Sequence, residues 1–217
     1  PLSPPDPRWA DGNVVTKLCL VPKPYQKPHP PLWMVTDTDR SIAFAAQHGL
    51  KVITWQPPPL MLRQRFQMYA DVRSAAEGRT YALGEDVASM RTTYVAPTME
   101  EARRDAERGV LMTFGWSQYR RPLHAFMNPG EELTPDMKLD WDFLEKRSLL
   151  VGTPEYVTEK IQELKELLNL DYFMTYTALP WIPHKKVMRS LELFASKVMP
   201  HFKKTEEAVS PDASAQR

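Results

Sequence analysis

The chain of 217 residues contains little cysteine, almost no net charge and no long apolar run. Its single cysteine, Cys19, excludes an internal disulfide framework and every cysteine-rich metal site. A net charge of +1 gives no electrostatic case for binding nucleic acid or an anionic membrane. Hydrophobic residues make up 42% and charged residues 25% of the chain, which is typical of a globular protein and indicates neither disorder nor a membrane span.

Signals for export and for metal binding are also missing. Residues 1–12, PLSPPDPRWADG, have neither the basic segment nor the apolar core of a secretory signal peptide. No second histidine or carboxylate stands at metal-ligand spacing from His29, so no metal site is predicted. The missing signal and the single cysteine together predict a cytoplasmic protein.

The most informative stretch is residues 30–50, PPLWMVTDTDRSIAFAAQHGL. Its apolar run at residues 32–35 has the length and composition of a parallel strand that is buried on both faces. From Ile42 onwards apolar residues recur at helical spacing, and Gly49 supplies a C-terminal stop. The stretch therefore predicts a strand, a tight turn and a helix.

The turn between this strand and this helix is a candidate phosphate site. Thr38 is placed as the helix N-cap and Ser41 follows three residues later, so both hydroxyls lie beside the unpaired N–H groups of the helix start. Arg40 would add donors, whereas Asp37 and Asp39 oppose an anion. The alternative is that Thr38 only caps the helix, and spacing alone favours that alternative.

Further strands are predicted at residues 14–21, 50–55, 88–96 and 170–176, and they alternate with predicted helices at residues 60–76, 100–114 and 153–168 and from Pro183 onwards. This alternation predicts a parallel sheet with helices outside it. Residues 115–148 show the least pattern and are interpreted as an insertion, because a loop this long inside a compact domain is usually a lid, an insertion or an interface.

Three ordered segments resemble the luciferase-like, flavin-dependent monooxygenase family. The first is VPKPYQKPHPPLW followed by TDTDRSIAFAAQHGL, which is similar to a Pro-rich segment, the fifth strand of a TIM barrel and the turn after it. The second, LLVGTPEYVTEKIQELKELLNLDYF, and the third, IPHKKVMRSLELFASKVMPHF, resemble a later helix and strand and the closing helix. The resemblance covers residues 20–203, with Thr38-Asp-Arg-Ser41 standing where the family has Ser-Pro-Glu-Ser.

The resemblance implies an enzyme that uses reduced FMN, supplied by a reductase or by NAD(P)H, together with molecular oxygen and a small organic substrate. It implies phosphate binding at Thr38 and Ser41, with Thr36 and Asp37 lining the strand end. Trp55 ends the next strand and would flank the flavin or the substrate, although a tryptophan that merely covers the barrel rim is an equal alternative. A relative that uses the deazaflavin coenzyme F420 is a further possibility. No catalytic residue is predicted, because the family's usual histidine lies in strands without a counterpart here.

The predicted fold is α/β, namely the C-terminal half of a TIM-type barrel with about four of the eight strand–helix units. Residues 1–12 are predicted to be a disordered Pro-rich lead, residues 13–203 the half-barrel with its insertion at 115–148, and residues 204–217 a disordered tail. The chain begins at Pro1 without a methionine, so we expect a segment upstream.

A half-barrel leaves two strand edges and an apolar sheet face uncovered, which requires a partner. The expected partner is the missing N-terminal half or a second copy of the chain. The alternative function is a non-catalytic half-barrel that acts as a binding or structural subunit, because without the first four strands the shield around a reactive flavin would be absent.

Overall fold

The computed structural model describes residues 8, 10–11, 14–15, 22–118 and 123–202, and the chain divides into two compact units, Pro1–Leu32 and Trp33–Arg217. In the first unit β1 (Ala10–Asp11) pairs antiparallel with β2 (Val14–Val15). The rest of the strand predicted at residues 14–21, most of the lead predicted at residues 1–12 and the tail predicted at residues 204–217 lie outside the described residues.

The second unit alternates strands with helices, and its five strands run parallel in one sheet. In chain order its elements are β3 (Trp33–Val35), α1 (Asp39–Gln47), β4 (Lys51–Trp55), α2 (Pro59–Glu77), β5 (Val87–Val95), α3 (Met99–Gln118), a 3₁₀ helix (Leu123–Phe126), α4 (Trp141–Glu145), β6 (Leu149–Gly152), α5 (Pro154–Leu168), β7 (Tyr172–Tyr176) and α6 (His184–Leu193), which continues through a π turn (Phe194–Val198) and a 3₁₀ turn (Met199–His201). The predicted fold class, a parallel α/β sheet with outer helices, is confirmed.

Local signals set the ends of several helices. The Oγ1 atoms of Thr38 and Thr153, which precede α1 and α5, accept hydrogen bonds at 3.4 and 3.3 Å from backbone N–H groups three residues on. Helix α5 stops at Asn169, whose φ of +50° is left-handed, and α2 stops at Gly78 with a φ of +69°. These boundaries follow from residues next to the helices and were therefore visible in the sequence.

Strand β5 is the centre of the sheet because three strands pair with it. Ala88 is in register with Ile53 of β4 and with Tyr172 of β7, so β4 and β7 lie along opposite edges of β5. Thr92 is likewise in register with β6 and with β7. Strands β4 and β6 therefore share one edge of β5, one after the other, while β3 pairs with the far side of β4.

The two faces of the sheet differ in how they are covered. One face packs beneath α1, α2 and α5, where Val52, Val87 and Val95 join a buried apolar cluster. On the other face Val35 is 64% exposed and Tyr172 is 49% exposed. The rings of Trp33 and Tyr172 nevertheless meet at 5.3 Å across two intervening strands, so this face is concave.

The exposed side chains correct the prediction for residues 32–35, which the apolar run assigned to a strand buried on both faces. Met34 does pack against the core, but Trp33 and Val35 point away from it and are exposed. Composition cannot distinguish a strand with two covered faces from one whose second face awaits a covering element. The prediction was wrong for one face of this strand.

The count of strand–helix units also changes. The sequence predicted about four, whereas β6 adds a fifth strand from the four residues LLVG. This strand was missed because it pairs only with the second half of β5 and is too short to show alternation.

The segment predicted as an insertion at residues 115–148 contains regular structure. Helix α3 runs to Gln118, beyond the predicted end at residue 114, and α4 lies within the segment. Phe126 and Trp141 from it are buried in a second apolar cluster with Val110. At 20 residues α3 is the longest helix in the described ranges, and none of the helices there is long and apolar enough to cross a membrane.

Candidate functional site

The predicted site residues gather where parallel strands end. Strand β3 is followed by Thr36, Asp37 and Thr38, and β4 ends at Trp55. The backbone N–H of Thr36 donates to the carbonyl of Ile53 at 3.0 Å, which continues the β3–β4 pairing by one residue. Because parallel strands end at the same edge of a sheet, these residues share what we call the carboxyl edge.

Asp37 is the most constrained of them. It is 7% exposed, and its Oδ1 accepts a hydrogen bond from the backbone N–H of Trp55 at 2.6 Å. The buried guanidinium of Arg91 lies within electrostatic reach of this carboxylate. Burial lowers the pKa of Arg91 to about 10, and the negative charge of Asp37 opposes that shift. The carboxylate therefore connects the turn after β3 to the end of β4.

Thr38 and Ser41 adopt the predicted cap geometry. Thr38 has extended backbone angles, φ −104° and ψ 143°, and its Oγ1 accepts the N–H of Ser41 at 3.4 Å. The Oγ1 of Thr36 accepts the N–H of Thr38, also at 3.4 Å. Both distances exceed the usual 2.9–3.0 Å of an N–H···O bond, so these donors are weakly held and remain suited to a stronger acceptor.

Asp39, which opposed an anion in the sequence, has a cationic partner. Its Oδ1 accepts a hydrogen bond from Nε of Arg65 on α2 at 2.7 Å. Arg40 beside it is exposed. The partner balances the charge of Asp39 and reduces the repulsion that this residue would exert on a phosphate at the start of α1.

An aromatic pair lies at the same edge. The rings of Trp55 and Tyr176, the last residues of β4 and β7, are 5.0 Å apart and inclined at 49°. Trp55 is half-buried, and its Nε1 is shielded from solvent without a hydrogen-bond acceptor among the described residues. Tyr176 was not singled out from the sequence, although the strand-end position that indicated Trp55 applies to it equally.

Arg91 was also missed. It lies inside β5, is 1% exposed, and donates from Nη1 to the carbonyl of Pro57 at 2.7 Å, in the turn after β4. The signal was a single charged residue in an otherwise uncharged strand, VASMRTTYV, because arginine is rarely fully buried without a specific reason.

The structure thus joins the five predicted residues into two linked groups. Thr36, Thr38 and Ser41 are connected by the hydrogen bonds of the turn, and Asp37 is connected to Trp55. Their roles toward a cofactor stay predictions. Chemically, the edge offers hydroxyl and N–H donors on one side and an apolar aromatic surface on the other.

Residues 9–169 match the family of luciferase-like monooxygenases, which is well over half of the chain. The protein therefore belongs to the luciferase-like monooxygenase family, and the resemblance carried by its motifs is confirmed.

The curated relative 4-hydroxyprotoasukamycin monooxygenase of Streptomyces nodosus subsp. asukaensis is 26% identical over 175 residues, which cover 76% of this chain and 45% of that protein. The chain spans about half the length of the curated relatives it matches.

Solved structures share the fold at low identity. Monooxygenase RslO1 from Streptomyces bottropensis has a TM-score of 0.63 and 23% identity, over 88% of this chain and 53% of that one. The oxygenating constituent of 3,6-diketocamphane monooxygenase from Pseudomonas putida, a type II Baeyer–Villiger enzyme in complex with FMN, has a TM-score of 0.57 and 23% identity, over 77% and 47%. An F420-dependent secondary alcohol dehydrogenase in complex with an F420–acetone adduct has a TM-score of 0.57 and 16% identity, over 90% and 55%.

Proposed function

We propose that this chain provides the phosphate-binding side of an FMN-dependent monooxygenase that oxidises a small organic substrate with molecular oxygen. The observation that carries the proposal is the position of the α1 N-terminus at the carboxyl edge, where Asp37 connects it to β4, whose last residue Trp55 forms an aromatic pair with Tyr176 of β7. A helix start suits a phosphate, and an aromatic pair suits a planar ring. Membership of the luciferase-like family supports the proposal, as does the FMN bound by the Pseudomonas putida neighbour.

The residues at the edge fit both parts of FMN. The hydroxyls of Thr38 and Ser41, with the first N–H groups of α1 and the Arg40 side chain, would hold the phosphate. The carboxylates of Asp37 and Asp39 already accept hydrogen bonds from Trp55 and Arg65, which limits their repulsion of an anion.

The remaining residues line the strand ends. When bound, reduced flavin supplies the electrons with which molecular oxygen is activated. Thr36 lies beside the proposed phosphate site, and the rings of Trp55 and Tyr176 present apolar surface that excludes water from the strand ends. A reductase or NAD(P)H would deliver the electrons to the flavin.

Coenzyme F420 is the alternative cofactor, because one structural neighbour binds it. The same carboxyl edge would hold either molecule, so the direct comparison is one of affinities. A higher affinity for F420 than for FMN would assign the chain to the deazaflavin-dependent branch and would contradict the FMN proposal.

The partner is part of the proposal. A TIM barrel needs eight strands, and one edge each of β3 and β7 has no neighbour among the described strands. We propose that the N-terminal half of a longer protein, or a second copy of this chain, pairs with these edges and covers the concave face. The exposure of Val35 and Tyr172 on that face also favours the second candidate function, a non-catalytic half-barrel subunit. A cytoplasmic location stays a prediction.

Alanine at both Thr38 and Ser41, in the assembly that binds FMN, tests the phosphate assignment. We expect FMN affinity to fall roughly tenfold to a hundredfold, because a hydrogen bond to a charged group contributes about 1.5–3 kcal/mol. Flavin fluorescence measures the affinity, and a thermal melt measures stability.

Thr98→Ala is the matched control, because Thr98 caps α3 by accepting the N–H of Glu101 at 3.1 Å, while Glu100 and Glu101 in the first turn of that helix oppose an anion. It should lower stability by about 0.5–2 kcal/mol and leave FMN affinity unchanged. If the double variant behaves like Thr98→Ala in both measurements, Thr38 only caps its helix and the phosphate assignment is wrong.

A further inference from the structure

Helix α3 carries an exposed ridge of large side chains. Arg108, Met112 and Trp116 follow one another at intervals of four residues, so they lie in one row along the helix. Met112 is 42% exposed and Trp116 is 74% exposed. Trp181, in the loop after β7, is 61% exposed and lies on the same row. We call these four residues the α3 patch, and the proposed flavin function uses none of them.

The indole of Trp181 is held in place on the ridge. Its Nε1 donates to Sδ of Met112 at 2.9 Å, and the guanidinium of Arg108 lies 4.0 Å from the centre of its ring. The backbone of Trp181 has a φ of +68°, a left-handed conformation that a bulky side chain rarely adopts. Such strain costs about 1–3 kcal/mol and is found mainly at functional contacts. The ring is therefore ordered before a partner arrives, which lowers the entropy cost of binding.

The residue types of the α3 patch are those of protein interfaces. Tryptophan, methionine and arginine are enriched at interface centres, and tryptophan and arginine dominate their binding energy. Tryptophan is mostly buried in folded proteins, so two exposed indoles beside one methionine indicate a contact surface. Arg108 is exposed and has no ion pair within the described ranges, so its guanidinium is suited to stacking on a second aromatic ring.

The order of side chains along the ridge makes the α3 patch complementary to itself. A twofold axis perpendicular to α3 at Met112 places Arg108 of one copy opposite Trp116 of the partner subunit, because both lie four residues from Met112. Two identical cation–π contacts then flank a pair of methionines. Ridges with this four-residue spacing pack with the helix axes crossing at about −50°. The two helices diverge beyond one turn on either side, which confines their contact to the ridge.

We propose that the α3 patch is the interface of a homodimer, in which Arg108 stacks between Trp181 of its own chain and Trp116 of the partner subunit. This interface is separate from the pairing at the edges of β3 and β7 that would close a barrel. An indole buries about 150–250 Å², so the four indoles supply at most about 1,000 Å², less than the roughly 1,600 Å² of a standard interface. We therefore expect a reversible dimer with a dissociation constant of about 1–100 µM.

Analytical ultracentrifugation of the full chain between about 1 and 300 µM tests the association. We expect the mean mass to rise with concentration. Trp116→Ala and Arg108→Glu each remove two contacts from a twofold dimer, so each should weaken the association at least about tenfold. Met188→Ala, on α6, also truncates a methionine that is 42% exposed and should change the association less than about twofold. Circular dichroism checks that all three variants are folded.

A cysteine at the twofold axis locates the interface. Helices packed at about 8–10 Å bring facing Cα atoms within reach of a disulfide. In a chain whose single cysteine is replaced by Cys19→Ser, oxidation of Met112→Cys should therefore join two copies. Met188→Cys in the same background is the matched control, because its exposure is equal, and it should remain unjoined under the same conditions.

Three results would overturn the proposal. The first is a constant mass up to about 300 µM, which would assign the α3 patch to another occupant, such as the N-terminal half of a longer protein. The second is an association that Trp116→Ala affects no more than Met188→Ala does, because the copies would then meet elsewhere, for example at the edges of β3 and β7. The third is equal cross-linking through cysteines at positions 112 and 188.

Discussion

The carboxylate of Asp37, in the turn after β3, accepts a 2.6 Å hydrogen bond from the backbone N–H of Trp55, the last residue of β4. This contact fixes the start of α1 relative to β4, which carries Trp55 of the aromatic pair. In the sequence Asp37 counted as a charge opposing a phosphate. In the structure its carboxylate accepts a hydrogen bond from a backbone N–H and lies within electrostatic reach of Arg91. Asp37 therefore stabilises the packing of the turn against β4.

Asp37→Asn should lower the free energy of unfolding by about 1–3 kcal/mol, because it removes a buried charge that a backbone N–H and a guanidinium stabilise. Asp39→Asn is the control, since Asp39 is 68% exposed and its ion pair with Arg65 is worth about 0–1 kcal/mol. Urea denaturation of both variants measures the difference. Equal losses of unfolding free energy in the two variants would show that Asp37 does not stabilise the packing of the turn against β4.

Replacing Gly109 or Gly115, both in α3, with alanine should change the stability of the fold in opposite directions. A Cβ at Gly109 would lie 2.3 Å from the carbonyl oxygen of Pro180, in the loop after β7. Alanine normally stabilises a helix interior by about 1 kcal/mol over glycine, but here the backbone contact should make Gly109→Ala destabilising by about 1–3 kcal/mol.

Gly115→Ala is the matched change in α3, because nothing lies within 4 Å of a Cβ at that position. It should raise stability by about 0.5–1 kcal/mol. Thermal melts of the two variants should therefore shift in opposite directions, and a shift of the same sign would contradict the close packing of α3 on the Pro180 loop.

Asp105 should make the free energy of unfolding depend on pH in the acidic range. It is 4% exposed, and it accepts hydrogen bonds from Lys186 at 2.6 Å and from the Tyr94 hydroxyl at 3.1 Å. Burial alone would raise the pKa of the Asp105 carboxyl, but these hydrogen bonds outweigh burial and hold the pKa below its ordinary value of 3.8.

Because the folded state lowers this pKa, the stabilisation is complete well above pH 3.8 and is lost as the pH falls through the folded-state pKa. Asp105→Asn should therefore cost about 1–3 kcal/mol at pH 7 and much less at a pH of about 2.5. Asp142→Asn, an exposed partner of Arg103 at 3.4 Å, should cost less than about 1 kcal/mol throughout. If the unfolding free energies of the wild type and of Asp105→Asn differ by the same amount at both pH values, folding is not linked to the protonation of Asp105.

Features set by neighbouring residues could be predicted from the sequence. Thr38, Thr153 and Asn169 act on helices beside them, so the helix ends were visible, and the position of Trp55 at a strand end followed from its apolar run. The alternation of strands with helices predicted the parallel sheet, and the family motifs supplied the predicted position of the site.

Features set by distant contacts could not be predicted. The hydrogen bond from the Trp55 N–H to Asp37 spans 18 residues, and the sharing of one edge of β5 by β4 and β6 depends on pairing between segments far apart in the chain. Strand β6 has only four residues, which carry no periodicity of their own. The exposure of Val35 likewise depends on what covers the concave face.

A paired titration of the purified chain with FMN and with riboflavin, which lacks the phosphate, tests the central claim most directly. Flavin fluorescence reports affinity, and light scattering of the same samples reports the assembly. The account predicts saturable micromolar binding of FMN by a closed assembly, with riboflavin at least about tenfold weaker because the phosphate contributes charged hydrogen bonds at the start of α1. Equal affinity for the two ligands, or no binding of FMN, would contradict the assignment of this edge as a phosphate site.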